Sequence, residues 1–185
     1  MLEMSGSNSM LKWLWLSALV VVLDLASKAL VTHYLELYQP VPVFPGFNWT
    51  LAHNTGAAFS FLSSESGWQR WFFSVIALVV SVGITIWIKR LNSAQTLLAI
   101  ALALVLGGAL GNLWDRVTLG YVIDFIDVYY QQRHWPAFNL ADSAISVGAV
   151  LLVIDSLRGS RGDDADVKAD ADTNGMNEQN KQDGV

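Results

Sequence analysis

Two carboxylates stand out by their settings. Asp124 sits inside the run Val122-Ile-Asp-Phe-Ile126, where apolar neighbours strip water from the carboxyl and favour its neutral form. Asp142 follows Asn139 by three positions. That spacing makes Asn139 a helix N-cap and Asp142 the third helical residue, where the helix dipole favours an acid. Capping alone would account for Asp142, and it is compatible with a second reading. If the fold joins the two carboxyls, both cannot be ionised, and one proton is shared. Asp124 is expected to hold that proton at rest. The ionised partner then draws a proton from water, the water attacks a peptide carbonyl, and the protonated partner polarises the carbonyl oxygen and helps the amine leave. This is aspartic-protease chemistry.

Other polar residues have bland and sharp readings. Asp24 and Lys28 lie four apart, acid first, the favourable order for an ion pair on one helix face. They read as a neutralised pair that docks its helix, or as site residues, and are taken as support. Asn54-Thr-Gly-Ala-Ala-Phe59 is a turn-forming cluster. Asn54 is an ordinary turn residue there, or its amide holds a peptide or a carboxylate. Gly107, Gly108 and Gly111, with Ala103 one turn earlier, let helices approach closely. That approach brings Asn112, Asp115 and Arg116 near a neighbouring helix.

Competing chemistries lack their residues. His33, His53 and His134 are scattered and form no H-E-x-x-H zinc motif, and there is no G-x-S-x-G elbow or phosphate loop. The chain has no cysteine, which removes disulfides, thiolate nucleophiles and cysteine metal sites.

The elements that must position these groups follow from composition. Of 185 residues, 53% are hydrophobic and 15% charged, with a mean hydropathy of +0.39. An ordinary soluble domain has about 25% charged residues. The chain therefore reads as one small membrane unit. Its net charge of −5 excludes a basic nucleic-acid binder. Four stretches approach the roughly 20 apolar residues a spanning helix needs: 12–33, 71–88, 94–114 and 140–157. Residues 1–11 precede them as an N-terminal segment. The start of the first stretch has the charge and apolar run of a signal peptide, yet no small-residue cleavage site follows, and Asp24 and Lys28 interrupt it.

Lys12, Lys89, Arg90, Arg158 and Arg161 fall on one side of these spans, against Arg70, Arg116 and Arg133 on the other. The bias predicts cytoplasmic termini and two external loops, from Glu36 to Arg70 and from Arg116 to Asn139. In the first loop, Phe47, Trp49 and Leu51 alternate with Asn48 and Thr50, which predicts a strand and a small external sheet. Residues 121–130 of the second loop are too apolar for a free linker and are expected to pack at the interface. Residues 159–185 carry seven acids against three bases and read as a disordered cytoplasmic tail.

Five blocks in order resemble the bacterial lipoprotein signal peptidases, or signal peptidase II. They are Asp24-x-x-x-Lys28, Asn54-Thr-Gly-Ala-Ala-Phe59, Gly107-Gly-Ala-Leu-Gly-Asn-Leu-Trp-Asp-Arg116, Val122-Ile-Asp-Phe125 and Phe138-Asn-Leu-Ala-Asp-Ser-Ala-Ile145. The resemblance implies a mainly α, four-transmembrane-helix bundle with a small external sheet. It implies an aspartic endopeptidase of the bacterial inner membrane that cuts prolipoproteins before a diacylglyceryl-modified cysteine. Asp124 and Asp142 match the catalytic pair. Asn54, Asn112, Arg116 and Asn139 match positions that line the site and hold substrate or globomycin-type peptide inhibitors. Asp24, Lys28, Gly56, Gly108 and Asp115 are assigned structural support. No metal, organic cofactor, nucleic-acid partner or oligomer is implied; membrane lipids and lipid-modified prolipoproteins are the expected partners. Asp127 is an extra acid outside the motif. The alternatives are a small proton-coupled transporter, for which an internal repeat is missing, and a non-catalytic membrane assembly protein.

Overall fold

The computed structural model describes residues 9–56 and 67–158. Ala57, Ala58 and Phe59 of the second block, and the acidic tail, lie outside the described residues.

Four helices are long and apolar enough to cross a membrane. They are α1 (Leu14–Tyr34), α2 (Trp68–Arg90), α3 (Thr96–Thr118) and α4 (Leu140–Arg158). Helices α2 and α3 outrun the apolar stretches that announced them. Arg70 and Arg116, read as loop residues, therefore sit in the first turn of α2 and the last turn of α3. A helix need not stop where the hydrocarbon does, because its polar ends reach the interface. The N-terminal segment also contributes more than a lead-in. A 3-10 turn, Met10–Trp13, capped by Ser9, buries Met10 in the apolar core with Ile84, Ile88, Leu98 and Leu102. Lys12, the residue that marked the expected boundary, stays exposed within that turn.

Helix α3 is the axis of the bundle, and its small residues explain why. At Gly107 an added Cβ would lie 2.7 Å from the Val20 side chain and 2.8 Å from the Ser17 carbonyl of α1. At Gly108 it would run into the carbonyl oxygen of Ala141 on α4, and at Gly111 it would lie 2.6 Å from an oxygen of Asp24. Dispersion between closely approaching backbones is what holds helices together where lipid is as apolar as leucine. Lipid-facing positions such as Val79, Val82 and Val150 are exposed.

The expected sheet is present and larger than the first loop alone. Strands β1 (Val41–Phe44) and β2 (Phe47–Asn54) come from the α1–α2 connection; β3 (Val122–Tyr130) and β4 (Arg133–His134) come from the α3–α4 connection. They form one antiparallel sheet in the order β1-β2-β3-β4. Residues 121–130 lacked clean alternation because the first half of β3 is buried on both faces. Pairing of β2 with β3 joins the two connections at one end of the bundle, with Ala52 opposite Asp124.

The glycine packing predicts a paired outcome. Gly108→Ala should lower stability in detergent by about 1–3 kcal/mol through overpacking against α4. Gly83→Ala, where an added Cβ meets nothing within 4 Å, should be neutral or slightly stabilising. Thermal unfolding followed by tryptophan fluorescence separates them; equal midpoints would refute the close-packing account.

Candidate active site

The site grows out of one buried cation. Lys28 is 2% exposed. Its ammonium lies 2.7 Å from Asp24 and 2.9 Å from Asp115, and it donates to Asn112 Oδ1 at 3.1 Å. A charge at this depth persists only when paired and hydrogen-bonded. Each partner then reaches onward. Asp24 accepts from the Ala141 backbone N–H at 3.0 Å, serving one of the orphan donors at the start of α4. Asp115 accepts from the Ile123 N–H at 3.1 Å and fixes the start of β3. Asn112 donates to Asp142 Oδ1 at 2.7 Å.

Asn139 joins the two candidate acids. Its backbone N–H donates to Asp142 Oδ2 at 3.2 Å, while its Oδ1 accepts from the Asp142 N–H at 2.9 Å. This is a reciprocal capping box at the start of α4. The Asn139 amide nitrogen also donates to Asp124 Oδ1 at 2.8 Å and lies 3.0 Å from Asn112 Oδ1. Asn54 holds the other Asp124 oxygen at 2.9 Å. The orientation of Asn54 is set by its own turn, because its Oδ1 accepts from the Gly56 N–H at 2.9 Å. Gly56 has φ of +93° and would press a Cβ against the Phe73 ring. Both facts call for glycine.

Asp124 is buried, and desolvation pushes its pKa up to about 7, with the negative charge of Asp142 adding to the rise and hydrogen bonds from Asn54 and Asn139 opposing it. Asp124 can therefore hold a proton near neutral pH. Arg116 lies in the field of Asp142, Asp124 and Asp115, over the Phe73 ring at 5.5 Å. Asp124 opens onto a groove of about 240 Å³ walled by Ala52, Asn54 and Thr55 on one side and Pro136 and Ala137 on the other. Among the described residues, no cluster of three or more His, Cys, Asp or Glu could hold a metal ion.

The structure therefore gathers Asn54, Asn112, Asp124, Asn139 and Asp142 into one network, with Arg116 beside it and Asp24, Lys28 and Asp115 beneath. Sequence reasoning missed Thr55, Pro136 and Ala137 as groove walls, since nothing in their types points to chemistry. It also missed the bond from Asp24 to α4. The orphan N–H groups of that helix were the available signal.

Known proteins can be set beside this geometry. The family described as Signal peptidase (SPase) II matches residues 16–158. The chain is 59% identical over 157 residues to a protein of Pseudomonas aeruginosa named lipoprotein signal peptidase, covering 84% of this chain and 93% of that one. It is 56% identical over 162 residues to the protein of the same name from Pseudomonas putida, covering 86% and 95%. Its fold is similar to a bacterial membrane enzyme solved by the in meso method at 1.9 Å, with a TM-score of 0.72 and 28% identity over 84% of this chain and 98% of that one.

The ammonium at the base of the network yields a test. Lys28→Gln strands two buried carboxylates and should cost about 3–5 kcal/mol of stability. Adding Asp24→Asn should restore part of that loss, because the two side chains share one interaction. Strictly additive losses in denaturant titrations would contradict the pairing.

Proposed function

The chain belongs to the signal peptidase II family and is a membrane peptidase, and we propose that it removes the signal peptide of diacylglyceryl-modified prolipoproteins, cutting before the lipidated cysteine. Asp124 and Asp142 are the proposed catalytic pair. The observation that carries this reading is the buried Asn139, which binds both carboxyls within one residue's reach, while Asp124 itself lines an open groove.

In the proposed reaction Asp142 is ionised. The start of α4 and the donors Asn112 and Asn139 stabilise its charge. It takes a proton from water, whose oxygen attacks the scissile carbonyl carbon. Asp124, protonated, donates to the carbonyl oxygen as charge develops there. The tetrahedral centre collapses, the C–N bond breaks, the proton held by Asp142 passes to the leaving nitrogen, and the proton given to the carbonyl oxygen returns to Asp124 as the C=O bond re-forms. Asn54, Asn112, Arg116 and Asn139 would hold the peptide and orient the acids. Globomycin-type peptides would compete for the same groove.

The depth of the site suits this substrate. A lipidated chain arrives sideways through the bilayer with its cut site at the interface, where the sheet meets the helix ends. Water reaches that level, and it would not reach the bundle midplane. We place the protein in the bacterial inner membrane, with both termini cytoplasmic and the sheet on the external face, because the basic residues Lys12, Lys89, Arg90 and Arg158 lie at the ends away from the sheet. The bundle of residues 12–158 is taken as the peptidase unit. As the family is one of peptidases, the transporter and scaffold readings fall away.

Asp124→Asn and Asp142→Asn should each reduce cleavage of a diacylglyceryl-modified prolipoprotein by at least about 10³-fold while the protein stays folded. A gel-shift assay on purified protein reads this; near-wild-type cutting by either variant would remove the pair from the mechanism. A second test is pH. Since the acting form of Asp124 is protonated and its pKa is about 7, kcat/KM should hold below that value and decline as pH rises through it. An alkaline limb that rises there would assign the proton elsewhere.

A further inference from the structure

Asp127 lies outside the site just described, three residues along β3 from Asp124 and therefore on the opposite face of the strand. It is an acid, it is buried, and the proposed chemistry makes no use of it. Its partners are specific. Asn48, directly opposite on β2, donates to Oδ2 at 2.7 Å. His134 on β4 places Nδ1 2.8 Å from Oδ1. A carboxylate only accepts, so Nδ1 carries the hydrogen. The His134 ring also stacks on Tyr129 at 5.0 Å.

What these contacts fasten is the return path to the site. Strand β4 has two residues and turns back from β3 through a loop in which Gln131 has φ of +56°. The chain then runs along β3, with Trp135 N–H donating to Val128 and Phe138 N–H to Ile126. It ends at Asn139, which bridges the two acids. Pro136 and Ala137, midway along, form one wall of the groove. Residues 133–136 are exposed, so backbone pairing and the His134 contact must hold this segment without help from a core.

We propose that Asp127, clasped between Asn48 and His134, is a positioning residue that pins the segment from β4 to Asn139 and so sets the width of the substrate groove. The inference rests on the peptidase reading and deepens it: Asp127 acts on how substrate is held, through Pro136 and Ala137, and leaves the reacting atoms to Asp124 and Asp142. Asp127→Asn weakens the clasp by removing its charge. His134→Phe keeps the stack on Tyr129 and removes the donor, at a position exposed enough for the variant to fold.

The test uses the full chain in detergent and two readouts. In cleavage of a diacylglyceryl-modified prolipoprotein, each variant should raise KM about three- to tenfold with kcat within about twofold, as expected for loss of a charge-assisted contact that acts on binding. The double variant should be no worse than the worse single one, because both break the same contact. The second readout needs no turnover. The chain has no cysteine, so spin labels at Thr55→Cys and Ala137→Cys, both at groove-lining positions, report the distance across the groove alone. That distribution should be narrow in the parent and broaden in both variants. Unchanged label distances, a loss confined to kcat, or additive effects would each overturn the proposal. If the parent fails to cut the substrate, the peptidase reading fails, while the label distances still decide whether the clasp exists.

Discussion

The interaction on which the structure depends is the burial of the Lys28 ammonium. An unpaired cation at that depth is untenable, so three side chains must come to it. Asp24 is supplied by the same helix, while Asp115 and Asn112 are supplied by α3. Each of these partners has a second commitment, to the start of α4, the start of β3 and the Asp142 carboxylate. One charge thereby sets the relative height of α1, α3, α4 and β3. Each of these bonds is short and directional, and together they leave little freedom for the groups above them.

This arrangement requires close helices, and that requirement divides the bundle. Away from the sheet the core is apolar, built from Met10, Ile84, Ile88, Leu98, Ala99, Leu102 and Leu106. Towards the sheet it is polar, and there Gly108 and Gly111 let α4 and the Asp24 carboxylate come against α3. A methyl group at either position would push the Lys28 partners apart. The glycines thus belong to the electrostatics as much as to the packing. They allow bonds under 3.2 Å to form between helices whose side chains would otherwise hold them apart.

Much of this was legible in the chain. The four spans follow from hydropathy, and β2 follows from alternation at Phe47, Trp49 and Leu51. Asn139 and Asp142 follow from capping distance, because that interaction is local. Asp24 and Lys28 follow from helix periodicity for the same reason. What was illegible is non-local. The glycines announce that Asp115 will come near a neighbouring helix, yet nothing in the chain names Lys28 as its partner there. Strand β3 hid because burial on both faces erased its period. Asp127 looked like a departure from the motif, and its partners, Asn48 and His134, lie on two other strands. The ends of α2 and α3 were misjudged because apolarity marks the hydrocarbon boundary, whereas hydrogen bonding marks the helix boundary.

The difference between the two acids of the proposed pair comes from placement, since their hydrogen-bond inventories are alike. Asp124 receives amide donors from Asn54 and Asn139, and Asp142 receives donors from Asn112 and the Asn139 backbone. Two donors each would favour ionisation of both. Asp124, however, sits on a buried strand and is 2% exposed, so desolvation outweighs its donors and raises its pKa to about 7. Asp142 is only partly buried, at the N-terminus of a helix whose dipole favours its charge. A fold that put both acids on strands, or both on helix ends, would give two equal groups with no reason for one to keep the proton. Drawing one from a sheet and the other from a helix sets the two carboxyls of the proposed pair in different surroundings before any substrate arrives.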